Sequence, residues 1–310
     1  MSVTAPFPWF GGKSRAASLV WDRLGDVGGY VEPFAGSLGV LLGRPETHRR
    51  AVETVNDIDG YVVNFWRAVT AAPMDVAEHC SWPVTELDLT ARHSWLVNEG
   101  ADRLGKLQSD PDWYDAKIAG WWVWGCCSWI GSGWCSAEGP WTPEALRGRK
   151  LPHLGNAGRG VNRQLPHLGN AGVGDWMISL AERLSRVRVA CGDWSRVVTP
   201  SASRAGGAPI GIFLDPPYDV EDAFHETYGK DYRGVSAEVR EWAIANADDP
   251  ALRIALCGYD TEHEMPDGWT VATWKARAGY GPSSNTARER IWFSPHCLNP
   301  AAETLFGEAA

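Results

Sequence analysis

Nowhere in the 310-residue chain is there an apolar run of about 18 residues, the length a membrane-spanning helix requires. Its first residues lack a basic stretch followed by an apolar core, so no secretory signal is expected and a cytoplasmic setting is. Seven cysteines, an odd number, include no C-x-x-C pair, which argues against a disulfide framework and for reduced thiols. Cys126, Cys127 and Cys135 cluster with the wrong spacing for a zinc knuckle, so no metal is expected. Two glycine signatures are also missing. Without G-x-G-x-x-G a dinucleotide pyrophosphate has no cradle, and without G-x-x-x-x-G-K-[ST] there is no P-loop.

Acidic residues are missing from one stretch although the chain as a whole carries a net charge of −9. None falls between Ala145 and Gly174, where Arg147, Arg149, Lys150, Arg159 and Arg163 do. An acidic body with one basic segment can hold a polyanion at one face; a solvated loop is the plainer reading. The same segment repeats Leu-Pro-His-Leu-Gly-Asn-Ala-Gly at 151–158 and 165–172, an offset too short for a solenoid unit. Its Asn, His and Arg donors suit base edges and phosphates, or else form a duplicated linker.

What is present organises around Ile210–Leu214, an apolar strand stopped by Asp215-Pro216-Pro217-Tyr218. The prolines fix two φ angles and remove two N–H donors, leaving a stiff turn with free carbonyls. A carboxylate and carbonyls beside an aromatic face suit a planar amine, such as that of a base taken out of its stack. An acid in such a turn can equally be a cap.

Earlier in the chain, Trp9-Phe10-Gly11-Gly12-Lys13 offers paired glycines before an expected helix beginning at Lys13 and running through Trp21 and Leu24. Tyr30-Val31-Glu32-Pro33-Phe34-Ala35-Gly36 reads as a strand ending at an acid and a glycine turn, the first crossover of a doubly wound sheet. Asp57 follows Gly36 by 21 positions, at the end of the next strand, where a ribose hydroxyl pair is gripped. Glu32 would meet a cationic amino group, or act as a turn acid. A nucleoside-type cofactor fits these features better than NAD.

Helices are expected over 59–72, 75–80, 90–104 and 236–247, with Pro73 ending the first. The Trp-rich stretch from Trp113 through Trp121, Trp122, Trp124, Trp129 and Trp134 to Trp141 reads first as core, with one or two rings left to stack on bases. Strands are expected over 187–191 and 253–257, and a last antiparallel pair over 269–274 and 290–293. Asp193-Trp194 follows the first of these and would hold and cover an adenine, or form an ordinary turn. A Ser/Gly/Ala stretch at 201–209 reads as a flexible loop, and 219–234 as a cover over the site. Lys275, Arg277 and Arg288 sit in a further loop suited to tracking phosphate.

In order, the Trp-x-Gly-Gly-Lys, Glu-Pro-Phe-x-Gly, Asn-Asp-Ile-Asp and Asp-Pro-Pro-Tyr elements resemble the Dam-like, alpha-group DNA adenine-N6 methyltransferases. The likeness covers residues 8–72 and 187–295. It implies an α/β fold: a Rossmann-like doubly wound methyltransferase sheet with a final antiparallel strand pair and an inserted target-recognition lobe. The corresponding parts are 1–73, the first part of the catalytic domain; 74–186, the insertion; and 187–310, the second catalytic part.

The resemblance implies S-adenosylmethionine as cofactor and double-stranded DNA as partner, and is compatible with a restriction endonuclease partner. By the family pattern Trp9, Gly11, Gly12, Lys13, Glu32, Phe34, Gly36, Asp57, Asp193, Trp194 and Asp215 contact the cofactor. Asp215, Pro216, Pro217 and Tyr218 form the catalytic tetrad. The basic residues of the insertion, with Lys275 and Arg277, would touch DNA. Two departures stand out: Leu38 occupies the place of the family's second loop glycine, and the insertion does not follow the usual recognition domain. RNA adenine, cytosine N4, or DNA binding without transfer are the alternatives.

Overall fold

Strand β4, Ile210–Leu214, is buried at every residue and lies in the middle of a seven-stranded sheet. The computed structural model describes residues 3–9, 11–110, 112–129, 134–135, 172–218, 234–274 and 288–299. Around β4 stand β1 (Gly29–Glu32), β2 (Val52–Asp57), β3 (Arg188–Cys191), β5 (Leu252–Tyr259), β6 (Thr270–Thr273) and β7 (Glu289–Phe293), in the order β3-β2-β1-β4-β5-β7-β6. The first five in that order are parallel, and β7 runs antiparallel to both β5 and β6. The protein is thus α/β with a mixed, mostly parallel sheet, closed by an antiparallel pair.

Side-chain parity divides the core. On β4, Ile210, Ile212 and Leu214 join Val31, Ile254 and Leu256 on one face, whereas Phe213 faces the other with Tyr30, Ala255 and Cys257. This is the period-two alternation of a strand covered on both sides. Burying one ring such as Phe213 is worth about 1.5–3 kcal/mol, so a one-residue slip of β4 would forfeit several such terms.

The helices are α1 (Ala17–Leu24), α2 (Gly39–Leu42), α3 (Gly60–Ala71), α4 (Pro73–Cys80), α5 (Glu86–Trp95), α6 (Ala101–Leu104), α7 (Ala116–Ser128), α8 (Val173–Leu184), α9 (Pro200–Ser203) and α10 (Val235–Ala245). Val239 and Ala243 of α10 cover the Ile212 face. The opposite face takes Val20 and Leu24 of α1, Phe65 and Trp66 of α3, Val76 of α4, Trp122 of α7 and Met177 of α8. Helices α4, α7 and α8 of the 74–186 segment therefore share the core of the sheet, whereas Leu89 of α5 packs with Trp124 and Trp129 in a separate cluster. Trp122, Trp124 and Trp129 are buried, as expected of large aromatic payload.

Local chemistry sets several boundaries. Asp59 caps α3 by accepting the Tyr61 N–H at 2.8 Å, and Asp115 caps α7 through the Ile118 N–H at 2.9 Å. Pro73 ends α3 and opens α4, where its missing N–H has no helical partner to lose.

Three expectations are corrected. Helix α1 begins at Ala17, four residues after Lys13, because Lys13 turns inward and its backbone makes the turn to Ala16. Residues 200–206, overlapping the 201–209 stretch read as a flexible loop, form α9 and a 3-10 turn over Arg204–Gly206; Pro200 stands in the first helical turn and the Thr199 carbonyl accepts the Ser203 N–H at 2.9 Å. The helix expected from Thr90 starts at Glu86, where Thr85 caps it, and passes through a π turn at Leu96–Gly100.

Candidate active site

The strand order reverses between β1 and β4. From β1 the chain moves outward to β2 and β3, and from β4 it moves the other way to β5. Connections that diverge from neighbouring parallel strands leave a crevice at their carboxyl ends, where ligands of open α/β sheets bind. The β1–β4 register pairs Val31 with Ile212, so Glu32 and Asp215 follow at the same end of adjacent strands.

On the β1 side the turn is built from close approaches. Gly36 has φ +43, its N–H donates to Asp57 Oδ2 at 2.8 Å, and its carbonyl accepts from the Trp66 indole at 3.0 Å. A Cβ at Gly36 would lie 2.4 Å from Trp9 Nε1, so the indole of Trp9 rests against the turn only because glycine stands there. Gly39 likewise admits the backbone of Ser14, which a Cβ would meet at 2.7 Å. Trp9 and the Lys13-Ser14 backbone are thereby fastened onto the Glu-Pro-Phe-x-Gly turn. Leu38, at the departure from the family pattern, takes the left-handed conformation, φ 52 and ψ 34, with its side chain fully buried. The backbone there is the one glycine favours, and burial of the leucine side chain offsets a cost of about 1–2 kcal/mol.

Two acids close this side. Glu32 is buried and its Oε2 accepts from the Tyr30 hydroxyl at 2.9 Å and the Leu41 N–H at 3.2 Å. Burial pushes its carboxyl up to about 8 despite those two donors. Asp57 is pushed up to about 7 by burial and by neighbouring Asp59, against the pull of the Gly36 and Asp59 amides. Neither acid has an ion pair among the described residues.

Asn56, between them, donates to the Pro33 carbonyl at 3.0 Å and the Gly192 carbonyl at 2.9 Å, tying the β1 and β3 turns together. Its buried Oδ1 has no partner among the described residues. Beyond it, Phe34 and Trp194 stack with centroids 6.2 Å apart and planes at 27°. Asp193 is exposed and accepts the Ser195 N–H at 2.9 Å, capping a 3-10 turn.

The β4 side is arranged differently. Lys13 is 4% exposed, donates to the Gly11 carbonyl at 2.7 Å and pairs with Asp215 Oδ1 at 2.9 Å. A second carboxylate, Glu289 Oε2, lies 3.8 Å from the same ammonium. The Tyr218 hydroxyl reaches both acids, Asp215 Oδ1 at 3.2 Å and Glu289 Oε2 at 2.9 Å. Burial disfavours the Lys13 ammonium, but Asp215 and Glu289 outweigh it and raise its pKa. Burial raises Glu289, with Lys13 pulling the other way. Tyr218 is driven well above the usual phenol range by burial and the two carboxylates. Its ring meets Tyr259 edge-on at 4.8 Å, and Lys13 sits 5.2 Å from the Tyr218 centroid and 5.8 Å from that of Trp274.

The structure thus gathers Trp9, Gly11, Gly12, Lys13, Glu32, Phe34, Gly36 and Asp57 with Asp215, Pro216, Pro217 and Tyr218 at one end of the sheet, and sets Asp193 and Trp194 at its β3 margin. The sequence reading passed over Glu289, Asn56 and Trp274. The signal for Glu289 was its phase: residues 289, 291 and 293 are buried on β7, so an acid shares the parity of Ile291 and Phe293. Arg147, Arg149, Lys150, Arg159, Arg163, Lys275 and Arg277 lie outside the described residues, as do Trp141, both octapeptide copies (apart from Gly172) and 219–233. Among the described residues no group of three or more His, Cys, Asp or Glu would hold a metal ion, and no helix is long and apolar enough to cross a membrane. The chain matches no family model and no curated protein.

Proposed function

We propose that this chain is an S-adenosylmethionine-dependent methyltransferase that modifies N6 of an adenine turned out of duplex DNA. The reading rests on one observation: Asp215, with Pro216, Pro217 and Tyr218, stands at the switch point directly beside the Glu32-to-Gly36 turn. A group that polarises an amine and a group that suits a nucleoside cofactor occupy one crevice.

The residues present fit that cofactor. Glu32 is a buried acid held near 8 with no ion pair among the described residues, which an ammonium would supply. Asn56 Oδ1 is a buried acceptor without a donor among the described residues, suited to a hydroxyl of a ribose held by Asp57. Phe34 and Trp194 offer an aromatic surface for a purine. When bound, S-adenosylmethionine supplies a methyl group on a sulfonium centre.

The chain's own part is to prepare the nucleophile. An aromatic amine is weakly nucleophilic because its lone pair is delocalised into the ring. Asp215 and the Pro216 carbonyl would accept the two N–H groups, drawing the nitrogen toward tetrahedral geometry with its lone pair free. The prolines hold those acceptors still, so orientation is set before the substrate arrives. Tyr218 would supply a stacking face worth roughly 1–3 kcal/mol per base. Asp215 is too weak a base to deprotonate a neutral amine, so the proton leaves for solvent after transfer.

The test is incubation with methyl-labelled cofactor and DNA free of N6-methyladenine, followed by nucleoside analysis. Label in N6-methyladenine, lost in Asp215→Ala, is the expected result. Label in N4-methylcytosine, or in RNA alone, assigns a different amine. Absence of label together with absence of cofactor binding by calorimetry leaves a DNA-binding protein without transfer.

A further inference from the structure

We propose that Glu289 is a positioning residue for transfer: it takes over Lys13 and the Tyr218 hydroxyl when the substrate amine claims Asp215. This inference rests on the methyltransferase reading above and deepens it.

The geometry shows two acids served by the same two donors. Asp215 Oδ1 receives Lys13 at 2.9 Å and the Tyr218 hydroxyl at 3.2 Å. Glu289 Oε2 receives the Tyr218 hydroxyl at 2.9 Å and lies 3.8 Å from Lys13 Nζ. In this arrangement Lys13 holds Asp215 Oδ1, and the single phenol hydrogen lies between that oxygen and Glu289 Oε2. An ammonium has three N–H groups, and the Gly11 carbonyl and Asp215 account for two. Moving Nζ about 1 Å toward Glu289 brings the pair into hydrogen-bond range. The phenol already favours Glu289 by distance. Both donors can leave Asp215 without losing a buried partner, which is what a reversible handover requires.

Charge points the same way. Lys13 with Asp215 alone would be a neutral pair, each neutralising the other. The second carboxylate lets Lys13 be satisfied while Asp215 keeps its full charge for an amine that becomes cationic as it is methylated. Glu289 begins β7 opposite Tyr259 in the antiparallel register and its side chain is 8% exposed. The titratable groups around it are Lys13, Asp215 and Tyr218, then Cys257, Tyr259 and Glu262 on and after β5. Burial raises its pKa, so protonation at acid pH would remove the alternative acceptor.

The experiment measures transfer to genomic DNA lacking N6-methyladenine, with cofactor affinity and melting temperature recorded for each variant. Glu289→Gln is expected to lower kcat at least tenfold with cofactor Kd changed less than threefold, and to flatten the acid limb of the kcat–pH profile. The decisive variant adds Lys13→Gln. If Glu289 acts by drawing Lys13 off Asp215, the Glu289→Gln loss shrinks severalfold in the Lys13→Gln background. An unchanged kcat in Glu289→Gln, or an equal loss in both backgrounds, overturns the proposal while transfer by the unaltered protein still stands. Absence of transfer by the unaltered protein overturns the methyltransferase reading and this one with it. Should Glu289→Gln fail to fold, Glu289→Asp carries the test. Its shorter carboxylate is expected to lower kcat severalfold and shift the acid limb, and a profile identical to the unaltered protein overturns the proposal.

Discussion

A buried glutamate and a half-buried aspartate stand on each side of the β1–β4 crevice, and the two pairs are satisfied in opposite ways. Beside β1, Glu32 and Asp57 meet, among the described residues, only neutral donors, a phenol and backbone amides, and their carboxyls are pushed up to about 8 and about 7. Beside β4, Asp215 and Glu289 share the buried ammonium of Lys13. Desolvation disfavours charge on either side, but only one side contains its own counter-ion. A site of the first kind gains most from a cationic ligand. A site of the second kind gains most from a neutral donor that can compete with an internal one. That contrast matches a sulfonium nucleoside carrying an ammonium on one side and an aromatic amine on the other.

The largest effect that would break the contrast is at Asp215. Asp215→Asn keeps the shape but exchanges a charged acceptor for a half-donor, and kcat is expected to fall about 100- to 1,000-fold, read by initial rates at saturating cofactor. Next is Lys13→Met, which leaves the buried Glu289 and the half-buried Asp215 sharing the Tyr218 hydroxyl without the Lys13 ammonium. We expect a loss of about 3 kcal/mol in denaturant unfolding at pH 7, recovered in part when Glu289→Gln is added. If Lys13 were spent on a ligand rather than on the acids, stability would hardly change.

The β1 side gives a prediction with the opposite pH sense. Glu32 rises from an ordinary value of 4.5 to about 8 on folding, so between those limits the folded protein holds a proton that the unfolded chain has released. Stability contributed by this group therefore falls as pH rises from about 4.5 to 8. Glu32→Gln removes that slope: near pH 5 the melting temperatures should agree, and at pH 8 the variant should be the more stable, on the order of 2 kcal/mol. The same variant should bind S-adenosylmethionine more weakly, because the ammonium loses its partner. The smallest effect is at Asp193. Its carboxylate caps a 3-10 turn, so Asp193→Ala should cost about 1 kcal/mol in thermal unfolding while Asp193→Asn costs little.

Much of this was legible because it is local. A strand stopped by two prolines, a glycine turn after an acid, and a second acid at the next strand end each follow from chemistry within a few residues. Together they place Asp215 and Glu32 at the crevice before any coordinates are seen. Partnership was not legible. Nothing near Lys13 in the chain says that its ammonium turns to Asp215 and Glu289; that depends on Gly39 letting the Ser14 backbone lie against the turn. The backbone at Leu38 was not legible either. The residue type argues against a left-handed backbone, yet tertiary burial imposes one. The 201–209 stretch, rich in Ser, Gly and Ala, looked loose because composition hides the Pro200 start of α9.

Because Lys13 is shared by Asp215 and by Glu289 on β7, the site is a product of chain closure, not of any one contiguous stretch. While the chain is being made, Lys13, Asp215 and Tyr218 all emerge before the acid at 289. Without β7 between β5 and β6, Lys13 would have one acid to neutralise instead of two. The contact between Lys13, Asp215, Tyr218 and Glu289 is therefore complete only when β7 stands in the sheet.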